Sequence, residues 1–260
     1  MSENRGRRAV CHKGVQGLQH LTGQNTCTAE AEMAQKRIAI YGGTFDPVHL
    51  AHLEIARRVL RLFEIDELLF VPAQRAPHKL ERDVTLPLHR YAMLALATQE
   101  DERLLVSTFE LDAPDRRYTV DTLAYFQSKF GPSAELFFVM GADSWCEITM
   151  WREWERLMTM ANHIVVTRPG YEIDGNQVTL SLAAQIVDLR GRDQGPLLSP
   201  GKEAAAGKIF VTDVVTNDIS ATEIRRAARE DRIDNLSKLV ALPVADYISK
   251  YRLYRNSNDA

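Results

Sequence analysis

The stretch at 38–52, IAIYGGTFDPVHLAH, constrains the fold more than any other part of this chain. It begins with a short apolar run at 37–41, and such a run without polar alternation is typical of a strand buried in a parallel sheet. Gly42 and Gly43 follow, and they allow a tight turn and a close approach of the backbone to a ligand. From 50 to 62 apolar residues recur at helical spacing. The sequence therefore predicts strand, glycine turn and helix.

The start of that predicted helix is suited to bind an anion. Free backbone N–H groups and the positive end of the helix dipole lie there, and Pro47 fits the first turn of a helix. His49 and His52 are three apart and share one face, where imidazoles can donate hydrogen bonds to phosphate oxygens. From the residues alone two alternatives stay open. His52 is an ordinary buried histidine, or the pair binds a metal, although no third ligand is evident nearby.

These residues resemble the signature of the nucleotidylyltransferase superfamily, in which an H-x-G-H element opens the first helix and binds the triphosphate of ATP. Ala51 stands where the superfamily usually has glycine, and we expect its methyl group to crowd the site without abolishing it. The longer run GGTFDPVH at 42–49 is similar more narrowly to the bacterial nicotinate-nucleotide adenylyltransferases. The resemblance implies catalytic roles for His49 and His52. It implies substrate contacts for Gly42, Gly43, Thr44 and Phe45.

The segment YTVDTL at 118–123 also matches that family. Thr119 is the predicted N-cap of a helix, and Asp121 lies in its predicted first turn. The resemblance implies that Tyr118 and Thr119 hold a nicotinate carboxylate, partly through backbone N–H groups. The two interpretations are compatible, because a capped helix start is itself a carboxylate site.

A further apolar strand leads into GADS at 141–144 and then into a tryptophan-rich segment. Asp143 is either a helix N-cap or, as the resemblance implies, part of the nucleotide site with Gly141. Trp151 and Trp154 are predicted to lie three apart on one helix, where a buried core is the default for such a pair. In the family a tryptophan at the position of Trp151 stacks on the pyridine ring. Trp151 is therefore the predicted stacking residue, and Trp154 is assigned to the core.

The segment ISATEIRR at 219–226 predicts a second anion site. Ser220 and Glu223 form a capping box, while Thr222 and Arg225 add a hydroxyl and a guanidinium to the same helix start. The superfamily carries this motif to bind ATP phosphates, which implies a catalytic role for Arg225 and substrate contacts for Ser220 and Thr222.

Two further basic residues match the family. Lys79, in the basic loop at 73–82, is assigned to the triphosphate, with an ordinary solvated loop as the alternative. Arg168 follows the fifth predicted strand and is a further candidate for substrate binding.

Strands alternating with helices predict an α/β fold, a Rossmann-like doubly wound parallel sheet with C-terminal helices. Further strands are expected at 67–72, 103–111, 135–141, 162–168 and 208–212, and helices at 86–97 and 178–189. Residues 1–33 are polar and without periodicity, so we predict a disordered or loosely attached extension and a single nucleotidylyltransferase domain at 34–260. A dehydrogenase is disfavoured, since the glycine turn is not G-x-G-x-x-G and no acidic residue ends the second strand.

Composition and resemblance together narrow the function. A formal net charge of -3 provides no general attraction to nucleic acid. No apolar run approaches the ~20 residues that span a bilayer, and cysteines without metal-like spacing favour a cytoplasmic protein. We expect adenylyl transfer from ATP to nicotinate mononucleotide, giving nicotinate adenine dinucleotide and pyrophosphate, with Mg²⁺ carried by ATP and NAD only as the downstream pathway product. Another acceptor (nicotinamide mononucleotide or phosphopantetheine), a non-catalytic nucleotide-binding regulator and a homo-oligomer remain open.

Overall fold

The computed structural model describes residues 35–74, 84–112, 117–167, 180–192, 195–197, 207–213, 219–230 and 232–255. The predicted extension at 1–33 lies outside them, so the division of the chain at residue 33 stays a prediction. The described strands are β1 (Lys36–Gly43), β2 (Glu67–Pro72), β3 (Leu104–Val106), β4 (Ala134–Gly141), β5 (Asn162–Val166), β6 (Ile186–Asp188) and β7 (Ile209–Thr212). The described helices are α1 (Leu50–Leu62), α2 (Pro87–Thr98), α3 (Thr119–Phe130), α4 (Ala142–Cys146), α5 (Trp154–Met160), α6 (Leu180–Ala183), α7 (Ala221–Arg229), α8 (Ile233–Leu239) and α9 (Leu242–Lys250).

These strands form one parallel sheet in the order β3-β2-β1-β4-β5-β7-β6. The order reverses at β1, which has β2 on one side and β4 on the other. In an open parallel sheet, ligands bind in the crevice beyond the carboxyl ends of the strands at such a reversal. The sheet confirms the predicted Rossmann-like α/β fold, and it places the glycine turn of β1 at that crevice.

Each face of the sheet carries its own apolar layer, because side chains alternate along a strand. Ile38 and Ile40 of β1 belong to the layer covered by α3 and α5. Ala39 and Tyr41 belong to the layer covered by α1, α2 and the C-terminal helices. Burial on both faces explains why the strands are continuous apolar runs in the sequence. The C-terminal helices α8 and α9 pack on the layer that contains Ala39 and Tyr41.

Two predicted elements are wrong in part. The predicted helix at 178–189 is the four-residue helix α6 followed by the edge strand β6, because a short apolar run fits either period and pairing with β7 decides between them. The predicted strand at 103–111 ends at Val106. The chain beyond it turns toward the crevice, which changes the role of Glu110.

Candidate active site

The carboxyl ends of β1 and β4 lie side by side. Tyr41 pairs with Val139, and Gly43 and Gly141 end the two strands at the same edge of the sheet. The loop that follows β1 and the short helix α4 that follows β4 therefore open into one crevice.

Gly42 and Gly43, predicted as a turn, are the last two residues of β1, and two aromatic rings limit the space beside them. A Cβ atom on Gly43 would lie 2.8 Å from the ring of Phe45, and one on Gly42 would lie 3.3 Å from the ring of Phe138. Phe45 has a φ of 51° and is 3% exposed, and its ring packs edge-on against His52. The glycines thus make room for a buried ring as well as for a ligand. Any substrate contact of Phe45 has to come from its backbone.

His49 and His52 form a stacked pair at the start of α1, with ring centroids 3.7 Å apart. His49 is the N-cap residue, and its backbone N–H donates to Nδ1 of His52 at 3.3 Å. Because Nδ1 accepts, the proton of the neutral ring lies on Nε2, which becomes a hydrogen-bond donor. Burial, followed by the neighbouring His49, holds the pKa of His52 well below its usual value. His52 therefore offers a hydrogen bond, not a positive charge, in the free protein.

Pro47 does not lie in the first turn of α1, as the sequence predicted. The helix begins at Leu50, and Pro47 follows a cis peptide bond from Asp46 in the turn that leads to the N-cap. Ala51, where the superfamily usually has glycine, is 4% exposed and lies in the apolar layer on that face of the sheet. Its methyl group is accommodated by packing.

Helix α7 places its start beside the loop after β1. Ser220 is its N-cap, and its Oγ accepts the N–H of Glu223 at 3.2 Å, as the capping pattern predicted. Arg225 donates through Nη1 to the backbone oxygen of Asp46 at 2.6 Å and through Nη2 to Oγ1 of Thr222 at 3.3 Å. The second predicted anion site therefore lies against the loop that leads to the N-cap of α1.

A cavity of about 450 Å³ opens beside this loop, a volume within the range of small-molecule sites. The predicted site residues that line it are Gly42, Gly43, Thr44, Tyr118, Thr119, Asp143 and Trp151. The other described candidates are not among its lining residues, namely Phe45, His49, His52, Gly141, Ser220, Thr222 and Arg225. We call His49, His52, Ser220, Thr222 and Arg225 the helix-start cluster. The loop at 44–47 joins the cavity to this cluster.

The first turn of α3 forms one wall of the cavity. The N-cap is Tyr118, so the predicted cap at Thr119 is wrong by one residue. Asp121 lies in the first turn as predicted, and its Oδ2 accepts the N–H of Tyr118 at 3.0 Å. The guanidinium carbon of Arg152 lies 4.9 Å from the centre of the Tyr118 ring. Because the first N–H groups of a helix have no acceptor within it, this wall suits a carboxylate.

Trp151 and Trp154 do not share a helix, so that prediction is wrong. Helix α5 begins at Trp154 after Glu153, whose φ is 52°, and Trp151 follows a single 3-10 turn at Ile148–Met150. Trp151 lines the cavity and packs edge-on against Phe138, with centroids 6.3 Å apart. Its indole N–H has no acceptor among the described residues. Trp154 is partly buried and packs against the same apolar layer as Trp151, but it is not among the residues that line the cavity.

Asp143 is not an N-cap, because Gly141 takes that position in α4. Asp143 lies in the first turn of α4, is exposed and lines the cavity. A Cβ atom on Gly141 would meet nothing within 4 Å, so glycine is not required there by packing. Asp143 is therefore not explained as a helix N-cap. Its role at the nucleotide site stays a prediction.

Glu110 is a cavity residue that sequence reasoning missed, because the predicted strand at 103–111 made it an ordinary strand residue. Its Oε1 accepts the hydroxyl of Thr122 at 2.7 Å. Burial raises the pKa of Glu110 to about 7, against the opposing effects of Thr122, Arg117 and Arg90. One feature of the sequence could have indicated Glu110, because it is a single carboxyl group inside an apolar run. A carboxyl group in such a place is either exposed to solvent or paired with hydrogen-bonding partners.

Replacing Glu110 with glutamine should make the stability of the domain less dependent on pH. The folded protein binds the Glu110 proton more tightly than the unfolded chain, so its free energy of unfolding falls as pH rises from 4.5 through about 7. The glutamine amide has no such proton to lose. Across this pH range the free energy of unfolding of E110Q should therefore rise relative to that of the wild type by at most about 3 kcal/mol. Thermal unfolding between about pH 5 and 8 measures it. The Tm of E110Q minus that of the wild type should grow with pH.

The exposed Glu100 provides the control for this change. E100Q should alter Tm by the same small amount at every pH. A Tm difference between E110Q and the wild type that does not change with pH would contradict the raised pKa of Glu110.

Lys79 and Arg168 lie outside the described residues, as does most of the basic loop at 73–82, so their roles stay predictions. In the described part of the chain, no group of three or more His, Cys, Asp or Glu side chains is arranged to hold a metal ion. No helix in those same ranges is long and apolar enough to cross a membrane. The cytoplasmic location and the expected lack of nucleic-acid and membrane partners also stay predictions.

The fold, with a cavity and two helix starts at the reversal of strand order, is that of a nucleotidyltransferase. Residues 40–227 match the cytidylyltransferase-like family, and the chain belongs to it. A relative from Corynebacterium jeikeium, named "Probable nicotinate-nucleotide adenylyltransferase", is 37% identical over 216 residues, which are 83% of this chain and 99% of that protein. A relative of the same name from Thermoanaerobacter sp. is 36% identical over 223 residues, 86% of this chain and 96% of that protein. Within the broader family, the chain belongs to the nicotinate-nucleotide adenylyltransferases.

Solved structures share the fold. The nicotinic acid mononucleotide adenylyltransferase of Plasmodium falciparum, complexed with NaAD, superposes with a TM-score of 0.62 at 23% identity, covering 84% of this chain and 97% of that chain. The same protein complexed with APC has a TM-score of 0.61. At this identity the likeness bears on the fold alone.

Proposed function

We propose that this chain transfers the adenylyl group of Mg-ATP to the 5′-phosphate of nicotinate mononucleotide. An oxygen of that phosphate attacks the α-phosphorus of ATP, and the bond from this phosphorus to the oxygen bridging to the β-phosphate breaks. Nicotinate adenine dinucleotide and pyrophosphate are formed. One observation carries the proposal: the loop at 44–47 joins the cavity to the helix-start cluster, so an acceptor in one and a triphosphate on the other meet there.

The cavity has the features that a pyridine carboxylate requires. The first turn of α3, at Tyr118 and Thr119, supplies N–H groups and the positive end of a helix dipole to the carboxylate. Trp151 supplies a flat aromatic face and a free indole N–H. Arg117 and Arg152 line the same cavity, and their positive charges favour an anionic acceptor.

The helix-start cluster has the features that a triphosphate requires. His52 directs an Nε2–H donor from the start of α1. Arg225 uses part of its guanidinium on the Asp46 carbonyl and has further donors for phosphate oxygens. Ser220 and Thr222 lie at the same helix start, and Lys79 is assigned to the triphosphate by its place in the sequence. Mg²⁺ carried by ATP would neutralise part of the negative charge of the triphosphate, and no described side chains would have to hold it.

No side chain has to act as a covalent nucleophile, because the phosphate of the acceptor is itself the attacking group. Catalysis by the protein is then the alignment of two bound substrates together with hydrogen bonds to the charge that builds up on the phosphates.

The function is tested by following pyrophosphate release with Mg-ATP and each of three acceptors: nicotinate mononucleotide, nicotinamide mononucleotide and phosphopantetheine. The acid should exceed the amide at least ~10-fold in kcat/KM, because a helix start favours the carboxylate. Preference for another acceptor would replace the proposed substrate by one of the alternatives. ATP binding without release for any acceptor would favour the non-catalytic regulator.

Replacing Trp151 with alanine should raise the KM for the mononucleotide ~10-fold or more, since a stacked aromatic ring contributes about 1–3 kcal/mol per base. The KM for ATP should stay within a factor of two or so, because Trp151 lines the cavity whereas no residue of the helix-start cluster does. Steady-state kinetics with each substrate varied in turn separates the two constants.

Trp154 is the matched control, because it lies three positions along the chain, packs against the same apolar layer and does not line the cavity. W154A should lower Tm without changing the KM for the mononucleotide. Equal effects of the two variants on that constant would show that Trp151 only supports the fold.

A further inference from the structure

A tyrosine near the end of the described residues contacts the loop at 44–47, which joins the cavity to the helix-start cluster. Tyr254 lies in the turn after α9, is 6% exposed and has a φ of 69°. A non-glycine residue in this left-handed region is uncommon, and it persists where surrounding contacts hold it.

The hydroxyl of Tyr254 donates to Oδ1 of Asp46 at 2.9 Å. Asp46 is 6% exposed, and its Oδ2 accepts the backbone N–H of Thr85 at 3.4 Å. The backbone oxygen of the same residue accepts from Arg225 at 2.6 Å. Asp46 thus has three hydrogen-bonding partners from three separate parts of the chain, and it is buried.

Asp46 lies between the cavity and the start of α1. It lies three residues before His49, the N-cap of α1, and two residues after Thr44, which lines the cavity. A rotation of Asp46 would therefore move both the carbonyl that holds Arg225 and the entry to the histidine pair. A buried carboxylate that lost its hydroxyl donor would also be left with an unsatisfied oxygen, and Arg225 already donates to the backbone oxygen of the same residue.

We propose that Tyr254 is a positioning residue for the triphosphate half of the site: its hydroxyl fixes Asp46 and, through it, the geometry of Arg225 and the α1 N-cap. This inference rests on the proposed function, since it assigns the triphosphate to the helix-start cluster. Tyr254 itself touches no reacting atom and acts through Asp46.

The test is Tyr254→Phe, which removes one oxygen and keeps the ring. Kcat/KM for Mg-ATP should fall about 10-fold, the scale of one lost hydrogen bond to a buried charge and of a slightly misplaced donor. The KM for nicotinate mononucleotide should stay unchanged, because the cavity does not include Tyr254. A purely structural role would lower Tm without this split between the two substrates, and that result would overturn the proposal.

Tyr251→Phe is the matched control, a tyrosine of the same turn that is 50% exposed. It should match the wild type in both constants. A double-mutant cycle with Asp46→Asn tests the route of action. The effect of Y254F should largely disappear in the D46N background, and full additivity would contradict coupling through Asp46.

Calorimetric titration with a non-hydrolysable ATP analogue separates this inference from the proposed function. If the wild type released no pyrophosphate with any acceptor, the proposed reaction would fail, yet the analogue should still bind more weakly to Y254F than to Y251F. Equal affinity for the two variants would overturn the positioning role, whatever the reaction.

Discussion

Replacing His52 with alanine should lower kcat for adenylyl transfer about 100-fold, the scale of one lost donor to a developing charge. The backbone N–H of His49 donates to Nδ1 of His52, so the opposite nitrogen carries the proton that a phosphate oxygen accepts. Burial keeps the pKa of His52 low, and the ring therefore donates in its neutral form. Pyrophosphate release at saturating substrates measures kcat directly.

Glutamine at the same position separates catalysis from helix capping. A glutamine at the third helical position can accept the N-cap N–H as His52 does, as in a capping box. H52Q should therefore keep a Tm close to that of the wild type and still lose most of the turnover. Wild-type turnover in a correctly folded H52A protein would end the catalytic assignment of His52.

Much of the fold could be predicted because it depends on local periodicity. The bounds of α1 and β2 match their predictions, since each is a long amphipathic or fully apolar segment closed by turn residues. Alternation of such segments was enough for a parallel sheet, and the sheet order then placed two glycine-ended strands together.

Three departures from the sequence analysis concern the residues at helix starts. Pro47, Thr119 and Asp143 each have a residue type that favours a helix cap or first turn, but His49, Tyr118 and Gly141 are the actual caps. Tertiary contacts decide which of several suitable residues becomes the cap, so a local pattern identifies the helix start to within one to three residues only.

The contacts between distant parts of the chain had no local signal. Tyr254 and Asp46 are separated by 208 positions, and neither residue type indicates which residue it will bond to. Glu110 was hidden for a related reason, because its place in the cavity follows from a strand that ends early. The sequence indicates candidate groups for phosphate binding, whereas the groups that hold those side chains in place emerge only from the packed structure.

Replacing Arg90 with methionine should destabilise the domain by about 4 kcal/mol, or ~10 °C in Tm. Arg90 is fully buried and donates to three backbone oxygens: Nε to Thr85 at 2.9 Å, Nη1 to Thr44 at 2.8 Å and Nη2 to Gln74 at 3.2 Å. These bonds tie the loop after β1 to the two described ends of the connection between β2 and α2. Methionine fills a similar length but leaves three carbonyl groups without their donor.

Burying the charged guanidinium of Arg90 has a desolvation cost, and this cost limits how much stability R90M can lose. Burial lowers the pKa of Arg90, so removing the charge recovers some desolvation energy, while Asp46 and Glu110 lose a compensating positive neighbour. Since the unsatisfied carbonyls and the two acids act in the same direction, the loss should outweigh the recovery. Thermal unfolding of R90M beside R57M, an exposed arginine of α1, measures the balance. A Tm for R90M as high as that for R57M would mean that desolvation of Arg90 offsets all three hydrogen bonds, and that the loop after β1 keeps its shape without them.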